Sequence, residues 1–120
     1  MKIYYVSHPY GGHQKNEVKA DVIVQALQTE YPDVCFVSPV HAIRCPYSNT
    51  DYIQGLDYCL ELLRRCDGIV MCGNWQGSIG CVSEFILARE LCKDVKTADE
   101  LLVGTGWDEA FAYARGEEFE

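Results

Sequence analysis

Three short apolar runs, separated by longer segments, constrain the fold of this chain more than any other feature. The runs are KIYYV at residues 2–6, VCFV at residues 34–37 and GIVMC at residues 68–72. Their β-branched and aromatic residues predict buried strands. Runs that are apolar throughout, without polar alternation, are typical of a parallel sheet that is covered on both faces.

Helical periodicity occupies the chain between and after these runs. Apolar residues spaced three and four apart predict a helix over Glu17–Glu30, a second from Thr50 or Asp51 to Arg65, and a third over residues 80–93. The two prolines of the segment SPVHAIRCPYSN predict a loop before the second helix. Strands that alternate with helices predict an α/β sandwich of the flavodoxin-like or Rossmann-like kind, with a parallel sheet of four or five strands.

The C-terminal part of the chain carries weaker signals. We expect a marginal fourth strand over Asp94–Thr97, a last helix over Trp107–Arg115 and an acidic tail over about residues 116–120. A length of 120 residues predicts one domain, residues 1–120.

Composition argues against several classes of protein. The net charge of −8 argues against nucleic acid as a partner, because nucleic-acid binding needs clustered Lys and Arg. Half of that charge lies in residues 108–120, so a small anionic substrate is compatible with the rest of the chain. No apolar run approaches the ~18 residues that cross a membrane, and none near the N-terminus is long enough for a signal peptide. Seven cysteines without such a signal are expected to be reduced thiols in a cytoplasmic protein.

Two loops rich in glycine and polar residues follow the first and third predicted strands, over Ser7–Asn16 and Gly73–Gly80. Ligands of parallel α/β sheets bind outside the carboxyl ends of the strands, where these loops are expected to lie. Ser78 suits the N-cap of the helix that follows, and the free N–H groups of such a helix attract an anion. Glu84 lies four residues after Gly80, so both belong to one helical face.

The pattern around the third strand resembles a known family. Its matching positions are Gly73, Trp75, Ser78, Gly80, Glu84 and Ala88, and the opening KIYYVSHPYGG matches the family's first strand and loop. Over about residues 2–92 the chain is similar to the nucleoside 2-deoxyribosyltransferase-like superfamily, including its small bacterial and phage branch and the 2′-deoxynucleoside 5′-monophosphate N-glycosidases. The resemblance implies hydrolysis or deoxyribosyl transfer at the N-glycosidic bond of a (deoxy)nucleoside 5′-monophosphate, with no cofactor and no metal. It also implies a homodimer or a larger homo-oligomer.

Carried over position by position, the resemblance implies a role for each matching residue. Glu84 is expected to attack the sugar C1′ and form a covalent glycosyl intermediate, as in a retaining glycosidase. The hydroxyl of Tyr4 is expected to orient Glu84. Ser78 and Gly80 are expected to hold the 5′ end of the sugar, and a serine there, where transferases acting on free nucleosides carry aspartate, favours a phosphate.

The remaining candidates lie in the two loops. Ser7, His8, Gly11 and Gly12 are expected to contact the substrate from the first loop. Trp75 in the second loop either stacks on the nucleobase or packs against the end of the helix. Asp67, just before the third strand, is expected to bond backbone or cap a helix rather than to catalyse.

One position departs from the family's pattern. The family carries an acid eight residues before the position of Asp67, and this chain has Cys59 there. Asp57 is the nearest substitute as a proton donor to the departing base. The departure keeps two alternatives open, namely a nucleotide-binding module without turnover and a structural interaction domain. The base, the sugar and the choice between hydrolysis and transfer are open as well.

Overall fold

A computed structural model describes residues 1–11, 14–43 and 52–105. Its strands are β1 (Lys2–Ser7), β2 (Val34–Val37), β3 (Gly68–Met71) and β4 (Asp94–Thr97). Its α-helices are α1 (Gln14–Glu30), α2 (Pro39–Ala42), α3 (Tyr52–Arg64), α4 (Ile79–Glu90) and α5 (Ala98–Leu102), and a single turn of 3₁₀-helix spans Trp75–Gly77. The marginal fourth strand predicted over Asp94–Thr97 is confirmed.

The four strands form one all-parallel sheet in the order β2-β1-β3-β4. Helices α1 and α5 pack together on one face, and α3 and α4 pack together on the other. The predicted α/β sandwich of the flavodoxin-like or Rossmann-like kind is therefore confirmed. Strand β2 lies on one side of β1, and β3 lies on the other side. The direction in which successive strands are added therefore reverses between β1 and β3, and such folds bind ligands at this switch point.

Each face of the sheet has its own apolar core, set by the alternation of side chains along β1. Val6 packs with α1 and α5, and Tyr5 packs with α3 and α4. Helix α1 contributes buried side chains at helical spacing, among them Ala20, Ile23 and Leu27.

Local interactions fix the ends of the helices that carry the site. The Ser78 hydroxyl accepts a hydrogen bond from the Cys81 N–H and caps α4, as predicted. Cys92 adopts a left-handed conformation (φ 56°) just after α4, which ends the helix. Lys93 then donates to the carbonyl oxygens of Arg64 and Cys66, so a cation closes the C-terminal end of α3.

Two interactions join the start of β3 to β1. A Cβ at Gly68 would lie 2.4 Å from the Tyr4 ring, so any larger residue would displace that ring from its place over Gly68. The Asp67 carboxylate accepts a hydrogen bond of 2.8 Å from the backbone N–H of Ile3. The expectation that Asp67 bonds backbone is thereby confirmed.

The structure also corrects three local predictions. Helix α1 begins at Gln14 and not at Glu17, so Asn16 lies inside the helix and not in the loop, and it donates to the Tyr10 carbonyl oxygen. A short helix, α2, replaces part of the predicted loop, and α5 follows β4 behind a capping box formed by Thr97 and Glu100. The predicted helix over Trp107–Arg115 and the acidic tail lie outside the described residues. No helix in the described ranges is long and apolar enough to span a bilayer.

Candidate functional site

The two loops singled out in the sequence meet at the carboxyl end of the sheet. Ser7 pairs with Met71, and the Cys72 N–H donates to the Ser7 carbonyl oxygen at 2.9 Å, so β1 and β3 end side by side. The loops enclose a cavity of about 270 Å³. Its lining residues are His8, Pro9, Asn16, Lys19, Asn74, Gly77 and Ser78.

Glu84 lies on the inner face of α4 and is not among the residues that line this cavity, but its hydrogen-bond partner Ser7 directly precedes the lining residue His8. The Glu84 side chain is only 6% exposed. The Ser7 hydroxyl donates to Oε1 at 2.7 Å, and the Tyr5 hydroxyl donates to Oε2. Burial raises the pKa of Glu84, and the two hydroxyl donors oppose that rise because they stabilise the carboxylate. The result is a carboxyl group held in one orientation by two strand residues.

The expected contact between Tyr4 and Glu84 is wrong, and Tyr5 makes it instead. Side chains alternate along β1, so Tyr5 and Ser7 share the face that α4 covers, and Tyr4 lies on the opposite face. There the Tyr4 hydroxyl donates to Asp94, which raises the pKa of Tyr4 to about 12. The alternation of side chains along β1 could have indicated Tyr5 from the sequence. Tyr5 lies two residues before the candidate Ser7, so both side chains lie on the same face of the strand.

Cys59, the position that departs from the family's pattern, lies near the Tyr5 hydroxyl. Cys59 packs in the same core cluster as Tyr5, beneath α3 and α4, close enough that it contributes with Glu84 to raising the pKa of Tyr5. Tyr5 is therefore close to both Cys59 and Glu84. Asp57 lies on the exposed surface of α3, and no hydrogen bond or ion pair in the described part of the chain joins it to Glu84. Its role as a proton donor stays a prediction.

Ser78 and Gly80 lie at the N-terminal end of α4, as the sequence predicts. Ser78 lines the cavity and is the N-cap residue, and Gly80 is the second residue of the helix. Gly77 also lines the cavity, and a Cβ added there would meet only the Asn74 amide, at 3.8 Å. A ligand can therefore approach the backbone of this turn closely.

Of the candidate residues in the first loop, one contacts the Glu84 carboxylate and another lines the cavity. Ser7 bonds Glu84, and His8 lines the cavity with its Nδ1 at 2.7 Å from the Pro9 carbonyl oxygen. Burial lowers the pKa of His8, which favours the neutral ring. Gly11 is exposed and adopts a positive φ of 61°, and Gly12 lies outside the described residues.

Trp75 packs on helix α4, one of the two interpretations that the sequence left open. Its ring lies 4.8 Å from that of Phe85, centroid to centroid, and it joins the core beneath α3 and α4. It is not among the residues that line the described cavity. Stacking of Trp75 on a nucleobase stays a prediction.

The chain matches the family model of a domain of unknown function, DUF4406, over residues 1–97. The chain belongs to this family. The match ends with the last residue of β4 and contains Glu84, Tyr5, Ser7 and the whole cavity lining. A search of curated proteins returned no match. The DUF4406 region therefore carries both the sheet and the candidate site.

Besides Tyr5, sequence reasoning missed Lys19 in this DUF4406 site. Lys19 lines the cavity from the second turn of α1, and it is only 8% exposed. It lies four residues before Ile23, on the buried face of the helix. A lysine at an apolar position of an amphipathic helix was the available signal. Within residues 1–11, 14–43 and 52–105, no three His, Cys, Asp or Glu side chains are grouped to hold a metal.

Proposed function

We propose that this DUF4406 chain breaks the N-glycosidic bond of a (deoxy)nucleoside 5′-monophosphate, by hydrolysis or by transfer, with Glu84 as the nucleophile. The observation that carries the proposal is the buried Glu84 carboxyl, held by Tyr5 and Ser7 of β1 at the carboxyl end of the sheet, where its switch point lies. The resemblance to the nucleoside 2-deoxyribosyltransferase-like superfamily supplies the reaction class.

The proposed chemistry has two steps. In the first step, a Glu84 oxygen forms a bond to C1′ while the C1′–N bond breaks. The electron pair of the C1′–N bond leaves with the base, and the base takes up a proton. In the second, water or an acceptor hydroxyl attacks C1′, the ester bond to Glu84 breaks, and the attacking group loses its proton. Tyr5 and Ser7 hold the carboxyl for attack and receive it again as a carboxylate.

A phosphate at the 5′ end fits the side of the site that faces the cavity. Ser78 adds no negative charge to this wall, whereas an aspartate would repel a phosphate. Ser78 and Glu84 are six residues apart on the chain, which is about 9 Å along a helix.

Two wider statements belong to the same proposal. We infer that the protein acts in the cytoplasm, where the six described cysteines, all free, would stay reduced. We also infer a homodimer or a larger homo-oligomer, as the resemblance implies. Light scattering on the eluting peak of a size-exclusion column tests the second statement, and a monomeric mass at micromolar concentration would contradict it.

The test is chromatographic detection of free base after incubation with each nucleoside and deoxynucleoside 5′-monophosphate. We expect release by the natural chain and none by Glu84→Gln, which keeps the shape of the side chain but removes the nucleophile. Glu90→Gln is the matched control, because Glu90 is exposed on the same helix. Release that continues at full rate in Glu84→Gln would contradict the assigned role.

A second candidate function is nucleotide binding without turnover. The observation that favours it is Cys59 beside Tyr5, where the family's pattern has an acid, together with the exposed position of Asp57. Tight binding of a nucleotide in calorimetry, with no product after long incubation, would select this function. If no nucleotide raised the melting temperature, the third alternative, a structural interaction domain, would be favoured.

A further inference from the structure

A lysine without a counter-ion lies in the wall of the cavity. Lys19 is 8% exposed, and no carboxylate of the described residues forms an ion pair with it. Burial and the nearby charge of Lys15 both lower the pKa of Lys19. The stem of the side chain is covered, whereas its Nζ atom is not among the buried polar atoms of the described residues, so the charge is open to the cavity. An anion in the cavity would pair with it.

Other groups that lack partners lie around the same space. The Nε2 atom of His8 is buried without a hydrogen-bond partner among the described residues, and the His8 side chain is 7% exposed. The N-terminus of α4, a helix of 12 residues, opens on the cavity at its N-cap residue Ser78. The backbone N–H groups of Ile79 and Gly80 donate to no acceptor in the described part of the chain. None of the lining residues is acidic.

We propose that Lys19 and His8 bind a phosphoryl group at the N-terminus of α4, and that Lys19 makes the site select phosphorylated over unphosphorylated ligands. A tetrahedral oxyanion suits donors that approach from α1, from the first loop and from α4. Because His8 Nδ1–H donates to the Pro9 carbonyl oxygen, Nε2 of the neutral ring accepts a hydrogen bond from the P–OH group of a phosphate monoanion. The nucleoside part of the ligand rests on the proposed function, whereas the anion site does not require Glu84.

Isothermal titration calorimetry with inorganic phosphate tests the anion site directly. The variant is Lys19→Met, which keeps much of the side-chain volume without the charge. Lys15→Met is the matched control, because Lys15 is exposed one helical turn earlier and its removal changes the net charge equally. At physiological salt we expect Lys19→Met to weaken phosphate binding about tenfold or more and Lys15→Met to change it about twofold or less.

Titrations with a nucleoside 5′-monophosphate and with its parent nucleoside distinguish a loss of phosphate recognition from general damage to the fold. We expect Lys19→Met to weaken binding of the monophosphate and to leave binding of the nucleoside unchanged. Its melting temperature should stay close to that of the natural chain, since Met keeps the covered stem of the side chain and the charge that is removed has no counter-ion among the described residues. Equal effects of the two lysine substitutions, or no phosphate binding by the natural chain, would overturn the proposal.

The same titration in Glu84→Gln keeps this proposal distinct from the proposed function. Phosphate binding that persists in Glu84→Gln, whether or not the natural chain releases base, supports the anion site by itself. Base release from nucleosides and monophosphates alike, with no effect of Lys19→Met on either, would uphold the role of Glu84 and overturn that of Lys19.

Discussion

Removing the hydroxyl of Tyr5 is the sharpest perturbation of the site that leaves its shape nearly unchanged. Tyr5→Phe deletes one oxygen and leaves the Glu84 carboxyl with Ser7 as its remaining hydroxyl donor. A hydrogen bond to a charged group contributes about 1.5–3 kcal/mol, and the loss is fully felt where the acceptor is buried. In Tyr4→Phe, the bond lost goes to Asp94, whose side chain is 45% exposed, so we expect about 1 kcal/mol or less.

Urea unfolding, at a pH above the Glu84 titration that NMR records, measures both losses as falls in the free energy of unfolding. The pKa of Glu84, followed by carbonyl-carbon NMR, should rise in Tyr5→Phe, because a donor to the ionised form is gone, and stay unchanged in Tyr4→Phe. If the bond persists in the transition state, kcat/KM should fall about ten- to hundredfold in Tyr5→Phe alone. Equal effects of the two substitutions on the pKa of Glu84 would refute the geometry.

Three further predictions concern single substitutions. Ser78→Asp should keep the cap of α4, and with it the stability, but weaken binding of a nucleoside monophosphate in calorimetry, whereas Ser78→Ala should lower the free energy of unfolding by about 1 kcal/mol. Because burial raises the pKa of Glu84 on folding, ionising it destabilises the fold as the pH rises from the ordinary carboxyl pKa through the raised one, so the gain in unfolding free energy from Glu84→Gln should grow with pH. Gly68→Ala, which would collide with the Tyr4 ring, should cost about 1–3 kcal/mol in urea unfolding, whereas Gly55→Ala, inside α3 with open space around it, should stabilise by about 0.5–1 kcal/mol. A stabilising Gly68→Ala, or no growth of the Glu84→Gln difference with pH, would contradict these expectations.

The sheet could be predicted from the sequence because its strands are short apolar runs between clear breaks. Strand β2 has the bounds that VCFV predicts, and β3 is one residue shorter than GIVMC. Helix α2 was missed because the prolines of this segment predicted a loop. Pro39 is compatible with a helix, since it lies in the first turn, where a missing backbone N–H costs nothing. Helix α5 was missed although Thr97 and Glu100 have the spacing of a capping box.

The site could be predicted in part, and its limits have a physical cause. The meeting of the two loops follows from parallel strands, and the cap at Ser78 follows from the turn before α4. The choice between Tyr4 and Tyr5 depends on which face of the sheet α4 covers, and two adjacent tyrosines look alike until the crossovers are known. Lys19 was missed because a lysine on a helix usually extends into water.

Glu84 as a nucleophile is the central claim, and the stereochemistry of the reaction tests it most directly. A deoxynucleoside 5′-monophosphate is incubated with the natural chain in buffer that contains methanol, and the sugar product is followed by proton NMR. Two displacements through Glu84 predict free base and a methyl glycoside with the anomeric configuration of the substrate, and no product from Glu84→Gln. A methyl glycoside of inverted configuration, or no release of base from any monophosphate, would contradict the claim.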